Sequence, residues 1–390
     1  MKCAVVTSRR TDLVPALEDL CGELGRRLSP GAPDLVLAFY TPHHAGEVDV
    51  LRRRVLDLLR PRVLLGCPGA GVIGGDEELE NGAALALWGA RWPGALLSPF
   101  ALQADEIDGE VELSGWPDAV PAGAGFLVLA DPHSTPLDSL LEGFAERFPG
   151  APVLGGIATG APGPGQALLL SSDGVLDEGC LGLAIGGGVR VDPVVSHGCR
   201  PIGHHFVITS ARRNVIGMLG GKPALEQLHH VFNEAGARDQ GLMQKALHIG
   251  RVVNERQSSF GRRDFLVRDV LDIDRGKGTL TLNDFVRPGQ SVQFLVRDSA
   301  TADEDMVEVL SQEARRGPAL GALMISGGGR GRRFFGTPNH DIAGLHRGFP
   351  DIATAGFFAA SEIGPVSGQS FVHGSTASIA LFREARAAPA

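Results

Sequence analysis

Three times along this chain an apolar strand leads into an amphipathic helix and then into a second apolar strand that ends at glycine. The first repeat reads DLVLAFY, a helix expected over residues 47–59, RVLLGCPGAGVIGG, AALALWGA and ALLSPFAL. The second reads GFLVLAD, a helix expected over 137–148, APVLGGIATG, QALLLSS and CLGLAIGG. The third is looser: GALMIS, a glycine-rich loop, a short helix near 342–346, AGFFAASEIGP and FVHGSTASIALF. Apolar residues fall on one helix face, Val48, Leu51, Val55 and Leu58 in the first repeat and Leu137, Leu140, Leu141, Phe144 and Phe148 in the second. The strands are continuous apolar runs, as expected where both faces of a sheet are covered. The pattern predicts an α/β protein of two domains, with repeated strand–helix–strand units forming mixed sheets packed face to face and helices outside.

The boundary is expected at Gly220-Gly221, giving domains 1–221 and 222–386. Between the second and third repeats the pattern changes. HHFVITSARRNVIGMLGG reads as a hairpin, and a helix opens at Lys222-Pro223 with Leu225, Leu228 and Phe232 on one face. The pentapeptide FLVRD occurs at 265–269 and again at 294–298, which reads as two paired strands of similar composition. The second copy leads into a capping box at Thr301 and Glu304 and a helix carrying Met306, Val309 and Leu310.

A formal net charge of −9 gives no electrostatic footprint for nucleic acid or an anionic membrane. No run approaches the roughly 20 apolar residues of a membrane span, and the start has no apolar targeting core. Five cysteines without CxxC spacing argue against a disulfide framework or a zinc cluster, and a cytoplasmic location is expected. No cofactor and no metal is expected.

The stretch SGGGRGRRFFGTPNHD, residues 326–341, follows a buried-looking strand. It lacks the lysine and the following Ser/Thr of a phosphate loop. Its glycines read either as a turn or as backbone N–H groups open to an anion, and Arg330 beside Gly331 carries a planar fork suited to a carboxylate. Asn339, His340 and Asp341 read as a helix cap with an oriented imidazole, or as part of a metal site completed by His373 and Glu362. Glu362 lies on a half-buried run, so its carboxylate needs an arginine such as Arg330 or Arg268, a ligand ammonium, or an acid/base role. His373 reads as a satisfied core histidine or a ligand contact. In SHGCRPIG, His197 and Cys199 are adjacent, without the geometry that a nucleophile pair requires. Arg200-Pro201 reads as a rigid turn, and Gly69, Gly71, Gly155 and Gly156 as repeat-equivalent loops on the ligand side of the sheets.

LLGCPGAGVIGG, VLGGIATG, SHGCRPIG, NVIGMLGGKPALEQL, DFLVRDVLDID, GQSVQFLVRD, GRGRRFFGTPNHD, GFFAASEIGP and FVHGSTASIALF, in this order, resemble the FIST family, with its N-terminal and C-terminal domains. The resemblance covers residues 34–382 and implies a sensory module that binds a small ligand, with amino acids proposed as ligands. It reads as a stand-alone version, without an F-box, kinase or receiver segment. Where the family often carries cysteines, this chain has Gly327 and Ala359, so thiol chemistry at those positions is ruled out.

Three function classes follow. The leading one is a sensory, bacterial signal-transduction protein whose partners are a small zwitterion such as an amino acid and a downstream signalling protein. The second is a protein-interaction scaffold. The third is a hydrolase-type enzyme using His340, Asp341, Glu362 and His373.

Overall fold

The computed structural model describes residues 1–107, 110–257 and 260–385. The expected end of the C-terminal domain, residue 386, lies outside them. The chain forms two compact units. One comprises Met1–Val195, Met306–Val372 and Ala377–Ala390, and the other Ser196–Asp305 and His373–Thr376.

The first unit is α/β and holds all three repeats. Each repeat places its two apolar strands side by side in parallel: Leu35–Tyr40 with Val63–Pro68, Gly125–Ala130 with Val153–Ile157, and Gly321–Gly327 with Thr354–Ala359. The crossover helices are Val48–Leu59, Leu137–Arg147 and His340–Gly348. Each parallel pair is flanked on one side by its own repeat's next long strand, antiparallel: Leu85–Arg91, Cys180–Gly187 and Thr376–Glu384.

On the other side of each pair the strand comes from a different repeat. The first repeat gives Val72–Gly74 and Glu77–Leu79 to the third sheet, beside Thr354–Ala359. The third gives Glu362–Val366 and Gln369–His373 to the second, beside Val153–Ile157. The second gives Leu169–Ser171 and Val175–Leu176 to the first, beside Val63–Pro68. The exchange closes on itself, and it pairs the outer edge of each second strand. Its register is the same in all three sheets: Gly66 faces Leu170, Gly155 faces Ile363 and Gly356 faces Ile73. A Cβ at these glycines would fall 2.1, 1.9 and 1.7 Å from the carbonyl oxygens of Ala38, Val128 and Met324, so the backbones meet too closely for any side chain. Gly155 and Gly156 therefore lie inside a strand and match Gly66-Cys67, whereas Gly69 and Gly71 lie in the loop beyond.

The inner faces share one core, including Phe39, Leu65 and Trp88 from the first sheet, Leu127, Leu154 and Leu183 from the second, and Ile325, Phe357 and Phe382 from the third. The outer faces take the helices. Leu13, Leu17, Leu51 and Val55 pack on the first sheet, Leu140 and Phe144 on the second, and Met306, Leu310, Ile342 and Leu345 on the third. Leu58, expected on the apolar stripe, is exposed, and Leu59 is buried instead. The apolar runs thus follow from covering on both faces. Residues 13–28 form a further helix, Leu13–Leu28, that the repeat pattern does not announce.

The second unit is a ring of six antiparallel strands: Cys199–Arg212, Ser291–Arg297, Leu247–Val252, Phe265–Asp274, Thr279–Leu282 and Val215–Leu219, the last pairing back to the first. Its core gathers Phe206, Ile208, Leu219, Ile249 and Phe294, with Ala224, Leu228 and Val231 from the helix Ala224–Glu234. The hairpin read at 204–219 is present. The two FLVRD strands do not pair with each other; they lie on either side of Leu247–Val252, with Ile249 opposite both Arg268 and Phe294. The cap of helix Ser299–Ala314 is Asp298 and not Thr301, because Asp298 Oδ1 accepts the Ala300 N–H at 3.1 Å while Thr301 sits inside the first turn. Among the described residues no helix is long and apolar enough to cross a membrane.

Candidate functional site

The glycine-rich loop turns back sharply as it leaves the third sheet. Gly328 N–H donates to the Ala359 carbonyl at 2.8 Å and Arg330 N–H to the Gly327 carbonyl at 2.7 Å. The turn drives Arg330 inward, so that it is 2% exposed. Gly331 has φ 91°, and a Cβ there would fall 2.6 Å from Glu80 Oε2. The glycines make a turn that buries an arginine.

The Arg330 fork closes on Asp341. Nε donates to Oδ2 at 2.6 Å and Nη2 to Oδ1 at 2.8 Å, and Ser326 Oγ donates to Oδ2 at 3.1 Å. Burial alone would push Asp341 up, but the charge and hydrogen bonds of Arg330, with a smaller contribution from His340, hold it well below the usual carboxylate range. Burial also opposes the charge of Arg330; the fields of Asp341, Glu362 and Glu78 outweigh it and raise the guanidinium. Three carboxylates therefore act on one cation.

Glu78 arrives on the exchanged strand Glu77–Leu79. Its N–H donates to Asn339 Oδ1 at 2.9 Å, and its own Oε1 accepts the Ile342 N–H at 2.9 Å. Each segment thereby satisfies an orphan donor of the other at the start of helix His340–Gly348. The Glu78 carboxylate is buried and also faces the Asp341 N–H, the next backbone donor at the helix start. Burial, and then the negative charge of Asp341, pushes Glu78 up to about 7. Glu80, next on the same hairpin, accepts the Arg332 N–H at 2.8 Å.

The rim is aromatic. His340 stacks on Phe335 with ring centres 3.5 Å apart, its Nδ1 lies 3.4 Å from Asp341 Oδ1, and the Arg330 guanidinium lies 5.1 Å from the Phe335 ring. Asn339 holds a left-handed turn at φ 58° to deliver the helix start. Asn339, His340 and Phe335 keep partial exposure.

Of the residues singled out in the sequence, Arg330, Gly331, Asn339, His340, Asp341 and Glu362 therefore share one neighbourhood. Glu362 is fully buried on the strand opposite Gly156, where it acts on Arg330. Gly69 and Gly156 serve packing, since a Cβ on either would press on Phe357 or its neighbours, and one on Gly71 on Phe358 and the Leu79 carbonyl. His373 falls in the second unit, edge to face with His197 at 5.9 Å. Arg200 is not in a turn. It lies in strand Cys199–Arg212, and its guanidinium is held by Asp239 and, at 2.9 Å, by Asp298. Arg268 meets Asp284 at 2.5 Å. Glu78, Glu80, Ser326 and Phe335 were not read as site residues; nothing local separates Glu78 from the acids around it.

Gly327 and Ala359 are buried strand ends. Burial pushes the Cys3, Cys21 and Cys180 thiols up to about 12. A cavity of about 330 Å³ in the first unit, lined by Thr7, Glu23, Arg27, Asp76 and Glu77 among others, holds none of the cluster's side chains.

A family model described as the FIST N domain matches residues 34–222, and one described as the FIST C domain matches residues 224–365. A protein of Mycobacterium tuberculosis (strain CDC 1551 / Oshkosh) is 35% identical over 384 residues, covering 98% of this chain and 100% of its own length. One of Mycobacterium bovis (strain ATCC BAA-935 / AF2122/97) is 33% identical over 384 residues, covering 98% of this chain and 99% of its own length. Both relatives are named only as uncharacterized proteins.

Proposed function

We propose, for a chain that belongs to the FIST family, a sensory role in which a small ligand carrying an ammonium group binds at the Arg330–Asp341–Glu78 cluster. FIST domains are associated with sensing and signal transduction. The finer reading is that the ligand is an amino acid or a similar small zwitterion. The observation that supports it is the excess of buried acid: Glu78, Asp341 and Glu362 share one buried cation, Arg330, whose fork is committed to Asp341. Surplus buried negative charge is costly unless a cation reaches it, and an ammonium supplies both charge and hydrogen-bond donors.

This reading moves the ammonium contact from Glu362 and Asp341 to Glu78, with Glu362 adding to the negative field. It no longer relies on Arg330 for the ligand's carboxylate, because Nε and Nη2 of its guanidinium hold Asp341. The carboxylate end of a zwitterion faces the rim of Asn339 and His340.

The test is calorimetric titration of the full chain with an amino-acid panel, the matching amines and the N-acetylated amino acids. Ammonium-bearing compounds are expected to bind and their N-acetyl forms to fail. Glu78→Gln should weaken binding roughly tenfold or more, one charge-assisted hydrogen bond being worth about 1.5–3 kcal/mol. The reading is wrong if no panel member binds, or if acetylated and free forms bind alike.

A further inference from the structure

Four of the chain's 12 histidines fall at positions 204, 205, 229 and 230, and all four are exposed. Strand Cys199–Arg212 is irregular where the first two occur. Its ladder to Ser291–Arg297 shifts register between Ile202 and Phe206, across Gly203 at φ 62°. A bulge of this kind takes residues out of the ladder and re-aims their side chains. Gly203 is pressed against the helix Ala224–Glu234, so that a Cβ there would fall 2.9 Å from Val231 Cγ1. The bulge therefore sets His204 beside His230, with ring centres 6.4 Å apart and nearly perpendicular. One helical turn on, Glu234 Oε1 lies 3.5 Å from His230 Nε2.

We propose that His204, His230 and Glu234 form a site for a divalent transition-metal ion of the zinc class, bound by two imidazole nitrogens and one carboxylate oxygen. With metal–nitrogen and metal–oxygen bonds of about 2.0–2.2 Å, two ligand atoms of a tetrahedral ion lie roughly 3.3–3.5 Å apart, the spacing between His230 and Glu234. Two imidazoles on such an ion have ring centres about 5–6 Å apart, so His204 has a short distance to close. Among the described residues no three such side chains already stand around one point. The missing step is a side-chain rotation of the exposed His204 off the Phe206 ring, against which it packs with ring centres 4.3 Å apart. Three protein ligands leave a fourth position for water or an exogenous group. Imidazole donors select zinc, cobalt, nickel or copper over magnesium and calcium.

The neighbouring histidines have other places. His205 packs edge to face on Phe260 with ring centres 5.4 Å apart. His229 is the next residue along the helix from His230 and is turned about 100° away from it. The proposal revises the expectation of no metal, because 204 and 230 are far apart in sequence and meet through the bulge.

The experiment titrates the metal-free full chain with Co²⁺, followed by its visible d–d absorption, and then with Zn²⁺ in competition. One ion per chain is expected, with Zn²⁺ displacing Co²⁺ and Mg²⁺ giving no signal. His204→Ala and His230→Ala should each weaken Co²⁺ binding by roughly tenfold or more with melting temperatures in EDTA unchanged, and His229→Ala should bind as wild type does. No saturable binding of one ion per chain, or a His204→Ala variant that binds like wild type, overturns the site.

Discussion

At the scale of residues, the first unit is organised around a buried ion pair that neither partner can leave. Arg330→Ala strands Asp341 as an unpaired buried charge, so a loss of about 3–5 kcal/mol in urea unfolding is expected. Replacing both by apolar residues of similar volume should recover only part of that loss, because Glu362 and Glu78 still lose the cation they share, whereas a surface pair would show almost no effect in either variant. Glu78 gives a pH signature. Folded, it titrates near 7, against an ordinary value of 4.5. Between those values the folded chain holds one proton more than the unfolded chain, so stability falls as pH rises through this window and levels off above it. One group contributes up to about 1.4 kcal/mol per pH unit. Glu78→Gln removes that contribution, and unfolding curves at pH 5, 6, 7 and 8 check it. An identical slope in wild type and variant would show that the carboxylate does not titrate there. The same group predicts proton release when an ammonium ligand binds near pH 6.5, measurable as a buffer-dependent calorimetric enthalpy.

At the scale of elements, the three close approaches at Gly66, Gly155 and Gly356 should be the least tolerant positions in the sheets. Alanine at any of them sets a Cβ about 2 Å from a backbone oxygen, which backbone cannot move aside cheaply. A loss of about 3 kcal/mol or more per substitution is expected, read from denaturation midpoints. Alanine at an open glycine such as Gly46 should be near neutral. These elements also show what a sequence can display. The parallel pairs and their crossover helices are local, each written in a continuous apolar run and a helical stripe, and they were legible. The exchange of hairpins among repeats is not, because the residues that pair are far apart in sequence and every run looks equally apolar. That is why Arg330, Asp341 and Glu362 could be singled out from type and burial, while Glu78, in a turn-like run of acids, could not. Arg330 was read as a ligand anchor for the same reason: its partner is Asp341, and the intervening loop gives no sign that the two meet. The bulge at Gly203 was hidden too, since GHH within an otherwise regular strand reads as ordinary alternation.

At the scale of the molecule, the exchange makes the first unit one cooperative body built from both ends of the chain. A fragment of residues 1–222, which spans the match to the FIST N domain, keeps two parallel pairs. It loses Glu362–Val366 from the edge of the second sheet and Thr354–Ala359 from beside the hairpin 72–79. It also loses the third wall of the shared core. We predict that it shows no cooperative thermal transition by circular dichroism; a sharp melt would mean that the exchanged strands are dispensable. Sensing by such a body requires that a ligand report on the junction of first and third repeats, where Glu78 and the start of helix His340–Gly348 satisfy each other's backbone. The most direct measurement is native mass spectrometry of the gently purified full chain, before and after incubation with an amino-acid mixture, alongside Glu78→Gln. The account predicts one small adduct per wild-type chain, released as a compound with a free amine and absent from the variant. Bare wild-type spectra under both conditions, or an equal adduct on Glu78→Gln, would contradict it.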